Sequence, residues 1–143
     1  MAARISPADH VKNSDSEDCH QKAFFLWAAQ SKNPLFTRLL FSVPNGGERD
    51  ILTASKMRAT GTKPGVSDTV LLVPRDRFHG LLLELKRPVH KPKHANSKGG
   101  LSDDQIAFKN AVEEQGYAWA VAYGWEEAVM YLEKYLALGP YTG

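Results

Sequence analysis

The sequence holds a single cysteine, Cys19, so no disulfide can close within the chain. It has no apolar run near the ~18 residues that span a bilayer as a helix. The opening MAARISPADH lacks the apolar segment of a secretory signal. These absences set the expectation of a reducing, cytoplasmic location and no membrane role. There is also no P-loop, no dinucleotide fingerprint and no internal repeat, which removes the common nucleotide-binding and solenoid classes.

What remains is a chain of 143 residues, 43% hydrophobic and 24% charged, enough for one folded domain with its own core. The net charge of +2 conceals an uneven distribution. Residues 1–31 carry three Lys/Arg and four Asp/Glu, residues 32–98 thirteen and five, and residues 99–143 two and seven. A basic middle beside an acidic end suits contact with a polyanion through one face. An unevenly charged, merely solvated surface is the alternative.

Residues 1–13 are polar and aperiodic, and read as a flexible arm before a single domain at 14–143. Ser14 or Ser16 can cap a helix through EDCHQKAFFLWAAQ, and Asn33-Pro34 stops it. LFTRLLFSVP reads as a strand, PNGG as a turn, and ERDILTASKMRAT as a short helix ended by Gly61. TVLLV and GLLLELK form a hairpin across PRDRFHG, apolar enough to be covered on both faces. RPVHKPKHANSKGG is expected to be an exposed, mobile loop. Ser102 and Gln105 make a capping box for a helix to about Gln115. YAWAVAY is then a strand and WEEAVMYLEKYLAL a helix. The order α-β-α-β-β-α-β-α predicts an α/β fold, a mixed sheet with helices on its faces.

Three charges interrupt the hairpin. Asp68 precedes TVLLV, and Glu84 and Lys86 lie within LLLELK, two apart and so on one face. Burying such groups costs several kcal/mol unless they are paired or bind a metal. Two adjacent carboxylates favour a hard divalent cation, and a neighbouring ammonium can hold water and offset charge on a phosphate. That set suits metal-assisted phosphodiester hydrolysis. A structural ion pair among the same residues is the rival reading.

At this point the chain resembles a known family. The segments SVPNGGER, G-x-x-PGVSD-x-x-LL, GLLLELK, LSDDQ and EQGYAWAVAYGWEEAVMYLEKYL occur in the order seen in the virus-type replication-repair nuclease (VRR-NUC) domains. These are a branch of the PD-(D/E)xK nuclease superfamily. Residues 15 to 137 are covered, including Glu17 and Gln21. One departure is Ser67, where the superfamily has a proline before the aspartate. The resemblance implies a restriction-endonuclease-like core with a mixed four-stranded sheet flanked by helices. It implies Mg²⁺, with Mn²⁺ able to substitute, held by Asp68, Glu84 and the main-chain carbonyl of Leu85. Lys86 would be the catalytic lysine, with Gln105 and Glu17 completing the site. It further implies an endonuclease acting on branched DNA such as four-way junctions, in replication, recombination or repair, in a phage or bacterial setting.

Candidate DNA contacts are Asn45, Arg49, Lys56, Arg58, Lys63, Lys91, Lys93 and Lys98, which together would give a salt-sensitive grip on phosphates. Arg49 follows a turn that also reads as purely structural. Cutting both arms of a junction calls for two sites, which a homodimer supplies, with Tyr131 and Tyr135 as anchors. His90 and His94 have a helical zinc spacing, but Pro88 and Pro92 oppose a helix there. Cys19 reads as packing rather than a nucleophile. A non-catalytic DNA-binding module with the same fold is the alternative function.

Overall fold

Strand LLLELK is buried along its whole length, and the rest of the molecule is organised around it. The computed structural model describes residues 4–44 and 51–143. Helix α1 spans Glu17–Gln30, α2 Pro34–Leu39, β1 Leu40–Ser42 and α3 Ile51–Ala59. There follow β2 (Thr69–Leu71), β3 (Leu81–Lys86), α4 (Asp103–Glu114), β4 (Ala118–Tyr123) and α5 (Trp125–Leu136). The sheet order is β1-β2-β3-β4; the first two pairings are antiparallel and β3-β4 is parallel. This is the α/β fold with a four-stranded mixed sheet that the sequence predicts.

Pleating divides β3 into two sets. Leu81, Leu83 and Leu85 join Phe24 and Ala28 of α1, Leu71 of β2, and Ala128, Leu132 and Tyr135 of α5 in one core. Full burial of each large side chain here contributes about 1.5–3 kcal/mol. Leu82, Glu84 and Lys86 take the alternate positions. Helix α1 starts at Ser16, whose Oγ accepts the Cys19 N–H at 3.2 Å. Helix α4 starts at Ser102 with the anticipated capping box.

Three sequence expectations change. The run LFTRLL is not strand throughout: its first part is α2, because Asn33 Oδ1 accepts the Leu35 N–H at 3.0 Å and Pro34 is preset for the first helical turn. From Ile5 onward the stretch before α1 is not a loose arm. Pro7–Val11 forms a 3₁₀ turn, Asp9 Oδ2 accepts the Ser6 N–H at 2.7 Å, and Gln30 Nε2 donates to the Ile5 carbonyl at 2.8 Å. The third concerns the loop after β3, which is tied down rather than hanging free: Tyr123 Oη donates to the carbonyl of buried Gly99 at 2.9 Å. At the opposite end of β3, the tail folds back onto the hairpin turn, where Asp76 bonds Gly139 and Thr142.

Candidate active site

The β2-β3 register pairs Thr69 with Leu83, so one step further places Asp68 beside Glu84. Asp68 is held there twice. Its carbonyl accepts the Val43 N–H at 2.8 Å, and its Oδ2 accepts the Leu85 N–H at 2.8 Å. In a strand the N–H and C=O of one residue leave on the same side, so the Leu85 carbonyl also faces the Asp68 side. Gln105 of α4 donates its Nε2 to Glu84 Oε1 at 2.7 Å. Lys86 Nζ lies 3.9 Å from Glu84 Oε1 and 3.9 Å from Glu17 Oε1 at the start of α1. Such distances leave the ammonium without a direct hydrogen bond to either carboxylate. Asp68, Glu84, Lys86, Gln105 and Glu17 thus converge from widely separated parts of the sequence.

Electrostatics at this point are strained. Glu84 is 3% exposed and Lys86 8%. Burial, followed by the nearby Asp68 charge, pushes the Glu84 carboxyl up to about 9. Asp68 is also raised, chiefly by burial, and the Leu85 N–H only partly offsets this. Both shifts run the same way, because two buried carboxyls side by side disfavour carrying two negative charges. Glu84 Oε2 is buried with no partner. Solvent reaches the cluster past Asp68, Gln105 and Glu17, none of which is buried.

An orphaned carboxylate oxygen beside a second carboxylate is the donor set a cation would satisfy. Among the described residues no group of three or more His, Cys, Asp or Glu side chains gathers in metal-binding fashion. Two carboxylates and a carbonyl fall short of a zinc site but fit Mg²⁺, which keeps several waters and takes one or two carboxylates.

The other expected residues scatter. Asn45 and Arg49 lie outside the described residues. Lys56, Arg58 and Lys63 are exposed in and after α3, and Lys93 is exposed in the loop after β3. Lys91 and Lys98 are also exposed but paired, with Glu127 at 2.6 Å and Asp103 at 2.7 Å. His90 and His94 do not share an α-helix, since Pro88–His90 is a 3₁₀ turn. Tyr135 is no interface anchor: it is 4% exposed and its Oη donates to the Val73 carbonyl at 2.6 Å. Tyr131 remains half-buried beside Trp119 and Leu138.

Two residues that sequence reasoning passed over support the site. Gly65, at φ +81°, brings its loop so close to α4 that an added Cβ would lie 2.3 Å from the Asp104 carbonyl oxygen. His20, buried one turn after Glu17, accepts the Trp125 N–H on Nδ1 at 3.1 Å and so ties α1 to the start of α5. The dipeptide Pro64-Gly65 was a visible signal; nothing in the sequence marked His20.

A solved structure of a VRR_NUC domain protein superposes on this chain with a TM-score of 0.71, at 25% sequence identity, covering 90% of this chain and 93% of the other. The chain carries a VRR-NUC domain. No protein-family profile matches the sequence, and no curated protein matches it either. The likeness therefore rests on three-dimensional arrangement, and it makes this VRR-NUC chain a nuclease-family domain with a restriction-endonuclease-like fold. No helix among the described residues is long and apolar enough to cross a membrane.

Proposed function

We propose that the VRR-NUC domain is a Mg²⁺-dependent DNA endonuclease that hydrolyses backbone phosphodiesters, with branched DNA such as four-way junctions as its preferred substrate. The observation that carries this reading is the convergence of Asp68, Glu84 and Lys86, with Glu84 Oε2 buried and unpartnered. When bound, Mg²⁺ would supply Lewis-acid stabilisation of the phosphate and lower the pKa of a coordinated water.

The chain's own groups have distinct tasks. Asp68, Glu84 and the Leu85 carbonyl would hold the cation, and Glu84 must lose its proton to do so. Gln105 fixes the Glu84 carboxylate through Oε1, leaving Oε2 for the cation. The Lys86 ammonium, uncommitted to a hydrogen bond with either acid, orients the attacking water and offsets charge on the phosphoryl oxygen. Water attacks phosphorus in line, a new P–O bond forms, and the bond to the 3′ oxygen breaks. The ends are a 5′-phosphate and a 3′-hydroxyl. Glu17 limits where the Lys86 head can swing. Two cuts across a junction would come from a homodimer.

The test is cleavage of duplex, flap and four-way-junction DNA in Mg²⁺ or EDTA by the wild type, Asp68→Ala and Lys86→Ala. Cutting in Mg²⁺ alone, reduced at least about 100-fold in each variant, supports the reading. A wild type that cuts nothing, or variants that cut as well, would overturn it. Binding without cutting would instead identify a non-catalytic DNA-binding module.

A further inference from the structure

The basic residues expected to meet DNA fall into two groups. Of those that follow β3, Lys91 and Lys98 are engaged within the protein, as is their neighbour Arg87. Arg87 pairs with Asp15 at 2.8 Å, Lys91 with Glu127 at 2.6 Å, and Lys98 with Asp103 at 2.7 Å. The partner of Lys91 is itself fixed, since Glu127 Oε1 accepts the Tyr123 N–H at 3.1 Å. With Gly99 held by Tyr123 Oη, residues 87–100 are stitched to β4 and α5 as a strap. Of the three loop lysines, Lys93 alone has no acidic partner among the described residues.

The second group lies in α3 and the turn after it. From Ile51 to Ser67 the sequence has Lys56, Arg58 and Lys63 and no Asp or Glu. All three are exposed, and none forms an ion pair among the described residues. Helix α3 has no substantial packing partner among the other described helices and strands. Its Leu52 is 83% exposed. An open cleft of about 410 Å³, lined by Val43, Met57, Lys63 and Val66 among others, separates the end of the helix from the strand β1 side. A nine-residue helix with so little cover from the other described helices and strands is marginal in water, so a contact outside the chain would add to its stability.

The base of this arm, by contrast, is anchored. The Thr62 N–H bonds the Met57 carbonyl at 2.9 Å, closing the helix end. Gly65 then presses on the Asp104–Gln105 backbone, and Gln105 is the residue that holds Glu84. Three positions beyond Gly65 stands Asp68. The arm is rooted at the carboxylates while its cations face outward.

We propose that α3 and its following turn form the DNA-gripping arm, with Lys56, Arg58 and Lys63 contacting backbone phosphates of the duplex beside the scissile bond, while the 87–100 loop is a structural strap. The proposal rests on the nuclease reading and assigns the grip to one element. An exposed cationic stretch without acids from Ile51 to Ser67 complements a phosphate backbone in charge and requires no base sequence.

Binding of a fluorescent duplex and a four-way junction is measured in EDTA by anisotropy from 50 to 200 mM KCl, using the full chain. The variants are Lys56→Ala/Arg58→Ala/Lys63→Ala for the arm and Lys91→Ala/Lys98→Ala for the strap. The arm variant is expected to flatten the slope of log affinity against log salt by about 2–3, and the strap variant by less than about 1. The strap variant should instead lose thermal stability, and Lys56→Arg/Lys63→Arg should keep the wild-type slope. Equal slopes for wild type and arm variant, or a larger loss in the strap variant, would overturn the assignment while leaving the nuclease reading intact. A wild type that binds neither DNA would overturn both.

Discussion

Gln105 serves two partners with one amide: its Oε1 accepts the Ser102 N–H at 2.9 Å, and its Nε2 donates to Glu84 Oε1 at 2.7 Å. The residue that closes the first turn of α4 therefore also orients the buried carboxylate. Capping and function are two ends of one side chain.

Substitution can separate those ends. Gln105→Glu preserves the capping-box acceptor but replaces the amide donor with a carboxylate facing Glu84. It should leave stability within about 0.5 kcal/mol of wild type while reducing cleavage about 10–100-fold. Gln105→Ala loses both contacts and should also cost about 1–2 kcal/mol in urea unfolding. Equal activity in Gln105→Glu and wild type would show that the Glu84 contact is structural.

The raised carboxyls give a pH signature. In the unfolded chain Glu84 releases its proton near 4.5, but in the folded protein only near 9. Between these values the folded state binds more protons, so stability falls as pH rises. Asp68 shifts in the same direction. In metal-free buffer the thermal midpoint should decline from about pH 5 to 9, and Glu84→Gln should flatten that decline. Buried His20 acts on the acid side: its lowered pKa removes stability as pH drops below its ordinary range, in wild type and Glu84→Gln alike. Mg²⁺ affinity by calorimetry should rise with pH as the Glu84 proton is displaced, approaching about tenfold per unit.

Ser67 is 0% exposed and its hydroxyl has no hydrogen-bond partner. Standing just before Asp68 at the entry to β2, it is a buried polar group without compensation. Ser67→Ala should raise stability by about 1 kcal/mol and leave cleavage unchanged. Denaturation and Mg²⁺-dependent cutting, measured together, check both halves.

Gly65→Ala should do the reverse. A Cβ there meets the Asp104 carbonyl oxygen at 2.3 Å on a backbone with φ +81°, so α4 must shift. The expected loss is about 2–4 kcal/mol, with weaker cleavage as Gln105 moves from Glu84. Unaltered stability would mean that the loop yields without disturbing the helix.

Much of this was legible in the residues themselves. Ser102 and one of the two serines Ser14 and Ser16 mark helix starts through local chemistry, the structure using Ser16, and strand alternation places Glu84 and Lys86 together. The misreadings have equally physical origins. Pro34 reads as a stop, yet Asn33 before it is a helix cap, and the short run LFTRLL carries no decisive period. Ser6 and Asp9 held a turn signature in a stretch judged by its polarity. Tyr135 could face outward on sequence alone, since a helix with two apolar sides does not declare which one meets the sheet. Lys91 looked free because its partner, Glu127, is 36 residues away. Pairing at that range is set by the fold.

The seating of Gly65 has a last consequence. Because Gly65 brings main chain close to main chain, a side chain added there would push on the α4 backbone itself. Under the proposed DNA grip, this seat would make the arm a gauge, setting how far along the duplex the cut falls from the point of hold. Changing its cations would alter how firmly DNA is kept; changing its seat would alter hold and chemistry at once.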